Sequence, residues 1–309
     1  MSTVSAGAPG SAGAGGAPAS TPVSAHGSTA PRMRGHAWGP LRREWIKLLF
    51  QRRSYLIWAG MLAIPFLVSL ALKLAGSGPH ENGGGGGPAF LDRVLGNGMY
   101  VPLASLSALL PFLLPMAASM VAGYMVAGEA ELGTLRIILL RPVKRGSMLL
   151  SKWVVAMLYL AVGFLLVLVG GVVFGGLFFG LHPMVTLSGT TLSVAHGLGL
   201  TVLVFLYGLA AMSCMVSLAL LFSVLTDSSL TALIGAVIFY IVVQIVIAFS
   251  YFAWLRPWVF PNYFLEYVSF FRDPIYWTPI LKGLASFGAW SFGLTFVAYL
   301  LFRRKDVLS

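Results

Sequence analysis

At 309 residues the chain is 58% hydrophobic and only 9% charged, with a formal net charge of +11. A soluble domain carries roughly a quarter charged residues and leaves much of its surface in water, so this composition excludes an ordinary soluble core and calls for lipid. The basic residues flank the apolar runs, which makes the charge a matter of membrane topology and argues against nucleic-acid binding.

Residues 1–38 are rich in Gly, Ala, Ser and Pro, and are read as a disordered tail that cannot bury enough apolar surface to order itself. Residues 39–53 place Leu41, Trp45, Leu48 and Leu49 on one helical face, with Arg42, Arg43, Lys47 and Arg53 mostly opposite. That pattern predicts an amphipathic helix lying in the membrane interface. A membrane domain over 54–306 follows, with six predicted spans at about 55–75, 99–127, 153–181, 195–225, 230–252 and 284–302. No Asp, Glu, Lys or Arg occurs between Lys152 and Asp227, or between Asp227 and Arg256. Each of these runs exceeds the ~20 apolar residues that cross a hydrocarbon core. The second predicted span contains Pro102, Pro111 and Pro115, and the glycine-rich stretch 76–98 before it reads as a flexible loop. The aromatic, proline-broken segment 253–283 is expected to lie as short helices in the headgroup zone.

With the N-terminus placed inside, the inner side collects fifteen Lys and Arg and the outer side five. The expected fold class is therefore an all-α integral membrane protein with six transmembrane helices and both termini cytoplasmic. No ionisable residue falls well inside a predicted span, which argues against ion coupling. His196 is read as interfacial, Gln244 as a hydrogen-bonding residue between helices, and the lone Cys214 as a packing residue. No catalytic triad, zinc or nucleotide-phosphate motif is present, so the chain is not expected to be an enzyme. Gly171, Gly175, Gly176 and Gly180 give two Gly-x-x-x-Gly spacings in succession, a candidate packing or dimer seam.

The connection over 128–152 is unlike a plain loop. Glu129 and Glu131 are placed at the start of a short cytoplasmic helix, where the helix dipole favours acids. Leu132, Leu135, Ile138 and Leu139 repeat at helical spacing, Pro142 ends the helix, and a basic turn leads to Lys152. An acidic start, an apolar face and a basic exit make a docking surface.

This loop resembles that of the permease subunits of type-2 ABC exporters: one or two Glu, Gly-Thr-Leu, a Leu-Leu pair, Pro-Val-x-Arg and a Lys entering the third span. Here those are Glu129 and Glu131, Gly133, Thr134 and Leu135, Leu139 and Leu140, Pro142, Val143 and Arg145, and Lys152. Arg136 follows Gly-Thr-Leu where many members have Glu, and Lys144 precedes Arg145 where many have Ser. The resemblance covers about 41–309 and implies a coupling helix seated in a separate ATP-binding subunit. It also implies a second permease subunit, as homodimer or heterodimer, and a multi-pass location in a bacterial plasma membrane. The chain itself would hold no cofactor, since ATP belongs to the partner. An ion-coupled transporter or channel and a non-transporting membrane anchor are the alternatives from other classes.

Overall fold

The computed structural model describes residues 45–46, 52–75, 97–133, 145–186 and 188–304. Among them six helices are long and apolar enough to cross a membrane, the mark of a multi-pass membrane protein. These are α1 (Arg52–Ala75), α3 (Leu113–Glu131), α4 (Arg145–Phe179), α5 (Val194–Leu225), α6 (Ser229–Ala248) and α7 (Trp277–Arg304), with a shorter helix α2 (Val101–Leu109) ahead of α3. The predicted tail, 1–38, and most of the interfacial helix predicted over 39–53 lie outside the described residues. Trp45 and Ile46 are helical, and Trp45 packs on the core.

The second predicted span is not one helix. A 3-10 turn, Gly98–Tyr100, leads into α2, and the chain breaks at 110–112 before α3. Pro111 is the cause: it has no N–H to continue the ladder, and Phe112 leaves helical geometry at φ −139°. The Pro111 carbonyl accepts a hydrogen bond from Tyr240 Oη of α6 at 2.7 Å. Gln244 donates to that same Tyr240 hydroxyl at 2.9 Å, so its own bond runs along α6 and Tyr240 makes the crossing. Two other helices start earlier than predicted, α4 at Arg145 and α7 at Trp277, while α6 stops at Ala248.

α5 is the hub. It packs against α3, α4, α6 and α7, and its interior half from Ala211 to Leu220 is almost wholly buried. Hydroxyls stitch it to its neighbours where apolar contact alone gives no direction. Trp153 Nε1 donates to Ser217 Oγ at 2.9 Å, and Thr295 and Ser291 of α7 reach the same hydroxyl. Cys214 is buried among these groups, its thiol toward the Phe287 carbonyl. The outward faces of α1, α6 and α7 remain apolar and exposed, with Leu56, Ile238, Val242 and Phe292 among them. Lipid is the natural cover for such surface.

Glycines set the closest approaches to α4. Gly171 lies against Pro102, and Gly175 lies backbone to backbone against Gly98. The atoms nearest a Cβ on Gly176 belong to the Leu181 side chain. Gly180 is beyond the helix end at φ +74° and caps it by donating to the Gly176 carbonyl. Within the described residues of one chain the Gly176–Gly180 spacing seats no neighbouring helix, and Gly180, with its change of backbone direction, lies beyond the helical face.

The end of the bundle away from Glu131 and Arg145 is more built than a flexible loop and an aromatic belt. Asn97 and Gly98, placed in the loop by the sequence reading, are buried. The Asn97 side chain caps the 3-10 turn and bonds the His182 and Pro183 carbonyls. A small hairpin, β1 (Met184–Val185) with β2 (Thr191–Leu192), is an exception to all-α structure. His196, in the first turn of α5 beside it, is exposed. Three 3-10 helices follow α6, at Ser250–Trp258, Phe260–Tyr263 and Glu266–Phe271. Tyr251, Trp254 and Trp258 are exposed, as the headgroup reading expects, but Phe260, Tyr263, Phe264, Tyr267, Phe270 and Phe271 are core residues. They fold back over α5 and α7, held by hydrogen bonds from Tyr207 to the Tyr263 carbonyl and between Ser107 and Tyr267. Burial pushes the Tyr267 phenol up, the Ser107 hydroxyl partly offsetting it.

Candidate functional site

The charged end of the bundle gathers the described members of the predicted coupling set. α3 ends at Glu131, so Glu129 and Glu131 occupy the last turn of a span, not the first turn of a loop helix. The dipole argument is thereby reversed: acids at a helix C-terminus are disfavoured. Each is compensated from another element.

Glu129 is buried and pairs with Lys152 of α4, Oε2 to Nζ at 2.8 Å. Lys152 is 1% exposed, and its ammonium also donates to the Met125 carbonyl at 2.7 Å. The cation thus lies at the negative end of α3 and answers both the carboxylate and the backbone. Because the helices extend to Glu131 and from Arg145, this pair belongs to the membrane helices. The pair lies near the ends of both helices, two residues before the end of α3 and seven after the start of α4.

Glu131 reaches the start of α6. Its Oε2 accepts from the Ser229 hydroxyl at 2.7 Å and the Ser229 backbone N–H at 3.2 Å. Ser228, the N-cap of α6, makes no side-chain cap bond of its own, so a carboxylate from α3 does that work. Glu131→Ala should lower stability by about 0.5–1 kcal/mol, the low end of capping losses because the site is exposed. Thermal unfolding in detergent measures this, and faster amide exchange confined to the first turn of α6 identifies the cause.

Leu132 and Gly133 close α3. Gly133 takes φ +66° and donates to the Ala130 carbonyl, a left-handed stop that glycine makes without strain. Thr134, Leu135, Arg136 and Pro142 lie outside the described residues, as does the remainder of the predicted loop helix. The chain re-enters at Arg145, whose guanidinium donates to the Phe302 and Arg303 carbonyls at 3.1 and 3.0 Å. That caps the C-terminus of α7 with a cation.

One anchor has no counterpart in the sequence reading. Ser223 Oγ of α5 donates to the Gly123 carbonyl at 2.6 Å and accepts from the Ala127 and Val126 N–H groups at 2.8 and 3.1 Å. A hydroxyl placed at an i to i+4 step of a neighbouring helix is a recognised origin of bending. It lies one turn before Glu129. A lone serine in an apolar run carries no sequence signal for this role.

The connection from Thr134 to Lys144 is therefore fastened at both ends. Its upstream end is tied to α4 and α6, its downstream end to α3 and α7. A family model described as a protein of unknown function, DUF2705, matches residues 56–308. The chain belongs to the DUF2705 family. The match runs from α1 past the end of α7 and includes the whole candidate site. No curated protein matches the chain.

Proposed function

We propose that this DUF2705 chain is the membrane-spanning permease subunit of an ATP-driven ABC exporter, with ATP hydrolysis confined to a separate ATP-binding subunit. The observation that carries the reading is the double anchorage of the 134–144 connection, through Glu131 to Ser229, Glu129 to Lys152, and Arg145 to the end of α7. A segment so fastened transmits a push from outside the bilayer to four spans together. The loop motif from Glu129 to Lys152, similar to that of type-2 exporter permeases, supports the same reading. In this view the connection faces the cytoplasm with both termini, as the Lys and Arg distribution favours. The membrane is a bacterial plasma membrane, and a second permease subunit, identical or related, completes the pathway.

The segment 134–140 seats in the ATP-binding subunit. Closure of the two ATP-binding subunits moves it, and the ion pair and caps pass that motion to α3, α4, α6 and α7. Full-length tagged chain recovered from native membranes should retain an ATP-binding subunit, and deletion of 134–140 should abolish that retention while the chain still inserts and purifies as a folded protein. Retention undiminished by the deletion, or flux in liposomes driven by an ion gradient with no ATP-binding subunit present, overturns the proposal.

A further inference from the structure

A cleft of about 670 Å³ opens along α7 where the 3-10 helices meet it. Its floor carries Ala285, Ala289, Gly293 and Val297, one residue per turn. Trp258 and Trp290 form one wall, and the Trp290 indole N–H donates to the Trp258 carbonyl at 2.8 Å. A Cβ placed on Gly293 would meet open space. Two polar groups stand at one end of this apolar channel. Lys282 is exposed, lines the cleft and has no ion-pair partner among the described residues. One turn further along, the Ser286 hydroxyl is buried and has no hydrogen-bond partner.

A purely apolar occupant would leave the exposed Lys282 ammonium at the end of the cleft unanswered. From Lys282 to Val297 the helix rises about 22 Å, enough to cover the ~15 Å hydrocarbon depth of one leaflet. The polar end lies near the start of α7 and the apolar end runs past its middle, the polarity of a lipid whose headgroup sits at the start of the helix and whose chain descends along it. We propose that this cleft binds an anionic phospholipid, its phosphate at the Lys282 ammonium and one acyl chain along Ala285 to Val297. The inference does not rest on the exporter reading.

The full chain in detergent is titrated with phosphatidylglycerol or phosphatidylcholine carrying brominated acyl chains, and tryptophan fluorescence is followed. Phosphatidylglycerol should quench at several-fold lower mole fraction, and the extra quenching should vanish in a Trp258→Phe/Trp290→Phe variant. Lys282→Gln should abolish the preference, and Gly293→Leu, which fills the channel, should reduce quenching by both lipids. Equal quenching by the two lipids in the unmodified chain, or a preference that survives Lys282→Gln, overturns the site. So does a cleft filled by a second copy of the chain, seen as a stable dimer whose Trp258 and Trp290 neither lipid quenches. Native mass spectrometry of the unmodified protein, counting retained phosphatidylglycerol against phosphatidylcholine, gives the same decision should a variant not fold.

Discussion

Glu129→Ala is expected to cost about 3–5 kcal/mol of stability, the loss typical of removing one member of a buried ion pair. The reason is what remains behind. Lys152 is 1% exposed, and without the carboxylate its ammonium, still donating to the Met125 carbonyl, would lose the negative charge that answers it. An uncompensated ammonium in a dry interior is far more costly than a missing hydrogen bond. The double variant Glu129→Leu/Lys152→Met should recover most of the loss, because well-packed apolar residues can replace a buried pair at little net cost. Thermal unfolding of the single and double variants in one detergent measures both quantities. A double variant no more stable than Glu129→Ala would show that packing around these residues, and not their charge, is what matters. Under the proposed function the pair is also a link between α3 and α4 beside the coupling segment. The double variant should then restore folding without necessarily restoring coupling to ATP hydrolysis.

Much of the fold was legible because lipid imposes a simple rule. Long charge-free runs must be helices, since a bilayer offers no partners for an open backbone. The run from Lys152 to Asp227 could be divided into two spans on that ground, and α4 and α5 are those spans. Helix ends were read less well, and Glu129 and Lys152 explain why. A charged residue in the sequence marks the edge of a span, yet two opposite charges on adjacent helices can neutralise each other and let both helices continue. The prolines of the second span were visible, but not which of them would interrupt it. That depends on Tyr240, 129 positions away, accepting the role of partner to the Pro111 carbonyl. The aromatics after α6 were counted correctly and placed only in part, because composition does not separate a ring at the headgroups from one folded back onto α5. At the candidate site the residue types were legible and their partners were not. Ser229 and Ser223 are unremarkable in sequence and matter only through the elements that face them.

The glycines of α4 yield the second large effect, and they separate two readings of one spacing. Gly175→Ala should destabilise the fold by about 3 kcal/mol or more, at the upper end of overpacking losses. Its new Cβ would meet the Gly98 carbonyl, which is backbone and cannot rotate away. Gly98 is itself held in place, since its N–H donates to the Gly180 carbonyl at 2.9 Å and the neighbouring Asn97 side chain bonds His182 and Pro183. Gly176→Ala, one position along, should stay within about 1 kcal/mol of the parent, because helix propensity favours alanine and the nearest atom to its Cβ is in the Leu181 side chain, at an ordinary 3.4 Å. Thermal unfolding and the monodisperse fraction on size exclusion report both variants. A seam between two copies of the chain through Gly176 would reverse the ranking: Gly176→Ala would then split an oligomer. Seating the start of the second span against α4 within one chain requires the order stated here, with the loss at Gly175.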